Sequence, residues 1–186
     1  MVIFEKAGPV NTDETCRIAV ARAMNINAPF IVSATTQGDS GVRLCEIVKE
    51  MGYKGSIVIV THAYGAREPG QNELKEEHRK AIIAYGAEIV TAAHALSGVE
   101  RGISSKFQGI YPAEIIAQSL RMLGQGMKVV VEIACMAMDA GKIFPGKEII
   151  CAAGTGRGLD TAVIMSPAYS SKVFDTRIHE ILCMPH

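Results

Sequence analysis

Short runs of apolar, often β-branched residues alternate along this chain with segments of helical spacing. No other feature constrains its fold as strongly. Ser56-Ile-Val-Ile-Val-Thr61 is a continuous branched run, the mark of a strand buried on both faces. Phe30–Ala34, Glu88–Ala93, Lys128–Glu132, Glu148–Ala153 and Thr161–Met165 read as further strands, with Val2–Phe4 a short edge strand. Between them, Asn11-Thr-Asp-Glu14 has the form of a capping box ahead of a helix that ends in Asn25 to Pro29. Further helices are expected up to Gly52, from Asn72 to Ala84, from Pro112 to Leu123 and over Cys135–Ala140. The residues beyond Pro167 carry no readable pattern. This alternation predicts a single α/β domain over residues 1–186, with a mostly parallel sheet covered by helices.

The stretch Phe30-Ile-Val-Ser-Ala-Thr-Thr-Gln-Gly-Asp-Ser-Gly-Val-Arg-Leu44 takes a buried strand through a small polar loop into a helix. A helix N-terminus exposes unpaired N–H groups and a partial positive charge, which suits a phosphate. Gly38 and Gly41 would let backbone amides come close, while Thr35, Thr36 and Ser40 add hydroxyl donors. The same residues also suit an ordinary turn in which Asp39 or Ser40 caps the helix. Both readings stand on the sequence.

Composition excludes several classes of function. The formal net charge is +0 and hydrophobic residues make up 48%, which argues against a disordered tail or a nucleic-acid-binding surface. No apolar run reaches membrane-spanning length, and Glu5 and Lys6 interrupt any signal-peptide core. Cys16, Cys45, Cys135, Cys151 and Cys183 are scattered and odd in number, so a reduced, cytoplasmic protein with packed thiols is expected.

Parallel sheets bind ligands outside the carboxyl ends of their strands. That rule gathers Thr35 and Thr36, Thr61 and His62, His94, Ala134 and Cys135, and Thr155 and Arg157 at one mouth. The long connection from His94 to Tyr111 reads as a lid over it. Other motifs fail their context. Gly154-Thr-Gly-Arg-Gly158 resembles half of a dinucleotide fingerprint, but a strand follows it rather than a helix. No G-x-x-x-x-G-K-[ST] phosphate loop occurs. His62 and His94 with Glu132 can bind a metal or move protons, although such histidines more often only hydrogen-bond within a loop. Cys135 can be a nucleophile at a helix start, but its apolar neighbours favour a core thiol. The charges from Glu73 to Lys80 read as a solvated helix face.

The order of these segments resembles the C-terminal α/β domain of pyruvate kinase, here as a free-standing protein. Ile31-Val-Ser-Ala-Thr-Thr-Gln-Gly-Asp-Ser40 is similar to that domain's T-x-S-G-x-[ST] sugar-phosphate loop. The stretch from Ala134 to Pro167, with its helix, polar turn, strand, Gly-rich loop and second strand, is closer still. The resemblance implies a three-layer sandwich of about five mostly parallel strands, with an antiparallel last strand after Asp160. It also implies an allosteric sugar-phosphate site between the two loops. The catalytic barrel of pyruvate kinase has no counterpart in these residues, so kinase activity is not carried over.

The chain also resembles free-standing archaeal-type proteins of this kind, which are associated with flavin mononucleotide (FMN) and have no settled reaction. A flavin-dependent oxidoreductase is one reading, and a non-catalytic sugar-phosphate or nucleotide-binding regulatory module is the other. By the resemblance, Thr35, Thr36, Gly38, Asp39, Ser40 and Gly41 would take the phosphate, and Gly154, Thr155, Gly156 and Arg157 would close the other side. Thr61, His62 and Tyr64 lie near the expected ring, which Gly98, Val99 and Ala134 would bed on backbone. The expected partners are a small phosphorylated ligand and further copies of the chain in a homo-oligomer, with neither nucleic acid nor membrane.

Overall fold

The computed structural model describes residues 1–186. Seven strands form one sheet in the order β1-β7-β6-β5-β2-β3-β4. These are β1 (Val2–Phe4), β2 (Phe30–Ala34), β3 (Ser56–Val60), β4 (Glu88–Val90), β5 (Ile149–Ala153), β6 (Thr161–Ser166) and β7 (Arg177–Pro185). β4, β3, β2 and β5 run parallel, β6 runs antiparallel to both β5 and β7, and β1 pairs parallel to β7. β6 is therefore the one strand against the common direction, and it does lie after Asp160 as the resemblance implied. The unread tail forms β7, so the sheet is wider than the five or so strands the resemblance implied.

Alternation within the strands sends neighbouring residues to opposite cores. Ile31, Ile57, Ile59, Ile150 and Ala152 pack with helices α1 (Thr12–Asn25), α2 (Asp39–Met51) and α3 (Glu76–Ala84) on one face. Phe30, Val32, Val58, Val60, Ile149, Cys151 and Ala153 pack on the other face with α5 (Pro112–Arg121) and α6 (Gln125–Asp139). Register brings Val32 beside both Val58 and Cys151, so like residues meet across the strands. Both faces are covered, which explains the uninterrupted apolar runs.

Several local expectations change. Lys128–Glu132 is helix rather than strand: it belongs to α6, most of which is buried. A helix apolar all round shows no strand-distinguishing period, and the branched run Val129-Val-Val131 imitated a β pattern. Cys135 and Ala134 accordingly sit inside α6, not at a strand end or helix start. The connection from His94 to Tyr111 is not an irregular lid, because Gly98–Phe107 forms a helix, α4, with no buried residue. The capping box does not form; the Asn11 side-chain amide donates to the Lys6 carbonyl at 2.7 Å instead. Asn72 does not begin α3, since its side chain accepts the Leu74 amide at 3.0 Å in a tight turn three residues earlier. α2 ends as expected at Gly52, whose left-handed φ of 77° closes the helix. No helix is long and apolar enough to cross a membrane.

All five cysteines are unpaired and buried. Burial pushes the Cys16 and Cys45 thiols up to about 12 and that of Cys135 up to about 11, so none is a ready nucleophile.

Candidate functional site

A cleft of about 330 Å³ opens at the carboxyl ends of β2, β3 and β5. Ala34, Thr35, Thr36 and Ser40 form one wall, and Val60, Thr61, His62 and His94 the next. Ser97 and Arg101 of the α4 region, Arg121 at the end of α5, and Gln125, Lys128, Val129, Glu132, Ile133 and Met136 of α6 face them. Gly154, Gly156 and Gly158 close the rim. Strand-end reasoning located this edge, because the parallel strands all deliver their following loops to it.

The first wall is shaped by a serine–threonine turn. The Thr35 hydroxyl oxygen accepts both the Gly38 amide at 3.1 Å and the Ser40 hydroxyl at 3.0 Å, while the Thr35 amide is anchored on the Val60 carbonyl at 2.9 Å. No side chain caps α2, which settles the question of Asp39 and Ser40. The amides of Asp39, Ser40 and Gly41 donate to no other group of the chain. Three amides at a helix N-terminus, flanked by the Thr35, Thr36 and Ser40 hydroxyls, are thus left as unspent donors, an arrangement whose chemistry suits an anion.

Gly38 and Gly41 also answer a packing demand. A Cβ on Gly38, whose φ is 105°, would overlap His78 and Leu74, and one on Gly41 would crowd Ile82 and Ile59 at about 3.0 Å. They let α2 sit tightly on α3 and the sheet, and neither lines the cleft. Asp39 points across the mouth, where it meets Arg157 at 3.7 Å with both groups largely exposed. This pair joins the two loops at their tips, a link worth at most about 1 kcal/mol.

The second loop is held from beneath by Asp160, which is fully buried. Asp160 Oδ2 accepts the Gly8 amide at 2.9 Å and the Thr155 amide at 3.1 Å, and Oδ1 accepts the Thr161 hydroxyl at 2.8 Å. The Thr12 hydroxyl oxygen accepts the Leu159 amide at 3.1 Å, fixing the same loop to the start of α1. Gly154 and Gly156 thus reach the cleft, whereas Thr155 is committed to Asp160 and Arg157 to the surface.

The deeper half of the cleft is polar and basic. His62 and His94 meet edge to face with ring centres 5.3 Å apart. His62 Nδ1 pairs with Glu73 at 2.7 Å, and His94 Nε2 accepts the Ala63 amide at 3.2 Å. Burial is the main cause that holds the His94 pKa below the usual histidine value, against the raising influence of Glu132. No three His, Cys, Asp or Glu side chains are grouped to share a metal ion. Lys128 and Glu132, one helical turn apart, form a buried ion pair, and Glu132 also accepts the Leu96 amide at 3.1 Å. Burial lowers the Lys128 pKa, with Glu132 opposing.

Of the expected site residues, Thr35, Thr36, Ser40, Thr61, His62, Gly154 and Gly156 come together at the cleft. Tyr64 is exposed and donates to the Gly70 carbonyl, Val99 projects from α4 into solvent, Gly98 begins that helix, and Ala134 is enclosed in the core. Glu132 lies beside His62 and His94 as their grouping expected, whereas Lys128, Arg101 and Arg121 were not expected there. The signal for Lys128 was its four-residue spacing from Glu132 on what reads superficially as a strand.

Comparison with known proteins bears on the same architecture. A family model described as pyruvate kinase, alpha/beta domain, matches residues 13–165. A pyruvate kinase from Cryptosporidium parvum aligns at 18% identity over 86% of this chain and 23% of its own length, with a TM-score of 0.41. A second structure of the Cryptosporidium parvum enzyme aligns at 16% identity over 88% of this chain and 23% of its own, with a TM-score of 0.39. O-Acetyl serine sulfhydrylase isoform 3 from Entamoeba histolytica aligns at 16% identity over 72% of this chain and 38% of its own, with a TM-score of 0.30. The chain thus spans under a quarter of the length of the two pyruvate kinases. The family match runs from the first turn of α1 to β6 and contains both loops of the cleft; the chain belongs to the pyruvate kinase alpha/beta domain family.

Proposed function

We propose that this chain binds a small phosphorylated ligand in the cleft, with the phosphate at the N-terminus of α2. The observation that carries this reading is the run of amides left free at the start of α2, that of Ser40 on the cleft wall itself, beside the Thr35, Thr36 and Ser40 hydroxyls. A volume of about 330 Å³ suits a sugar phosphate or mononucleotide. Such a ligand makes the chain a binding module, and a regulatory role follows if occupancy alters its association with a partner.

Flavin mononucleotide is the second occupant we propose, on the strength of one feature. Val129, Ile133 and Met136 of α6 form an apolar strip beside the His62–His94 pair, against which a flat ring can lie. The phosphate half of the cleft would serve this cofactor without change, and the strip, with Ala34 and Val60, would give the ring its apolar surroundings. A bound flavin would supply one- and two-electron transfer chemistry. The cradle residues would hold the phosphate, and α6 would orient the ring.

Calorimetric titration with inorganic phosphate tests the shared reading. Thr36→Val, which keeps the side-chain shape and removes the hydroxyl, is expected to weaken binding about tenfold, the value of one hydrogen bond to a charged group. Unchanged affinity in that folded variant overturns the cradle. The visible absorbance of purified protein separates the occupants. A flavin spectrum that persists through desalting favours FMN, and a colourless chain that FMN cannot reconstitute favours the phosphorylated metabolite.

A further inference from the structure

Seven of the nine arginines have their guanidinium groups engaged. Arg17, Arg22, Arg43, Arg67, Arg79 and Arg157 face carboxylates, and Arg177 donates to two carbonyls. The remaining two are Arg101 and Arg121, and both line the cleft. Arg101 makes no side-chain hydrogen bond, and Arg121 spends only its Nε, on Gln125 at 2.7 Å. They stand close enough to Lys128 that both oppose its charge, and Arg101 opposes that of His94 as well. Glu132 is the one carboxylate lining the cleft, and Lys128 already neutralises it.

We propose that the cleft has a second anion subsite, formed by Arg101 and Arg121, and that its ligand class is a phosphorylated carboxylic acid. The inference rests on the phosphate reading above and adds the chemistry of the ligand's other end. The phosphate occupies the α2 cradle, and the carboxylate lies under the two guanidinium forks on the α4 and α5 side. Planar guanidinium donors match a carboxylate's two oxygens. Two cations without partners in one cleft hold the site open to such a group and reject a neutral hydroxymethyl there, since that group leaves their charge unmet.

The test uses matched probes on the full chain: 6-phosphogluconate against glucitol 6-phosphate, and 3-phosphoglycerate against glycerol 3-phosphate. Within each pair only the far carboxylate differs from a hydroxymethyl group. At least one acid is expected to bind about tenfold more tightly than its polyol, as a charge-assisted contact implies. That advantage is expected to vanish in the Arg101→Gln/Arg121→Gln double variant, while the polyol phosphate binds as before. Equal binding of acid and polyol in every pair, or an advantage that survives in the double variant, overturns the second subsite alone. If polyol phosphate binding is insensitive to Thr36→Val, the cradle reading falls instead, and the acid's dependence on the arginines still decides this one. Failure of all four probes to bind overturns both.

Discussion

At the scale of the residue, the cleft is governed by polar groups whose partners are few and specific. Asp160 accepts three hydrogen bonds in a site closed to water, two of them from backbone amides. Asp160→Ala strands the Gly8 and Thr155 donors, and each unsatisfied buried donor costs about 1–3 kcal/mol. Urea unfolding is expected to show a loss of about 3 kcal/mol. Asp160→Asn, which keeps an acceptor oxygen, is expected to lose clearly less, and equal losses would remove the hydrogen bonds as the cause. His94 gives a pH signature. Its pKa is depressed in the folded chain, so below about 6.5 the unfolded chain takes up a proton that the folded chain resists. Stability then falls with pH through that window and is unaffected by this group above it. Protonation also abolishes the acceptor for the Ala63 amide. The difference in unfolding free energy between wild type and His94→Gln, measured from pH 7 to pH 5, is expected to narrow as pH drops. A constant difference would remove His94 as the titrating group. Such residue-level features were only partly legible in the sequence. Thr35, Thr36 and Ser40 announce themselves by lying between a strand and a helix. Asp160 does not, because its partners Gly8 and Thr155 are meaningful only once the N-terminal segment has folded across the loop.

At the scale of the element, legibility followed exposure. α2 carries an amphipathic pattern between two glycines and was readable to within a residue or two at each end. α6 is enclosed on nearly every side, so its pattern has no polar face to betray a period. α4 failed for the opposite reason: it buries nothing, and its Gly98, Gly102 and paired serines resemble a loop. β7 was hidden because its outer residues are exposed and its pairing with β6 contains register shifts. Packing around α6 yields a prediction whose sign is set by competing magnitudes. Gly126, in its first turn, sits against Thr161 and Asp160 so closely that an added Cβ would overlap the Thr161 side chain. Helix propensity favours Gly126→Ala by up to about 1 kcal/mol. Overpacking costs about 1–3 kcal/mol, and Thr161 is pinned by its bond to Asp160 and cannot turn aside cheaply. The variant is expected to be destabilised by about 1 kcal/mol or more in thermal melting, and a gain in stability would show that the helix can shift outwards.

At the scale of the whole molecule, the parallel sheet and its covering helices were readable from alternation alone, and the edge that carries the cleft followed from it. What remained hidden lies in long-range pairing. The Val2–Phe4 strand joins Cys183–Pro185, and the His186 amide donates to the Phe4 carbonyl at 2.8 Å. Sequence reasoning sees neighbours along the chain, and these neighbours are separated by almost all of it. The same closure sets an order in time. A ribosome adds about 5–20 residues per second, so residues 183–185 emerge on the order of ten to forty seconds after β1. Over that interval β1 has no strand beside it, and the segment carrying Gly8 to Asp160 is tethered at one end only. The rim of the cleft therefore waits on β7, and the loop that carries Gly154 and Gly156 gains its N-terminal brace only after residues 183–185 have been made.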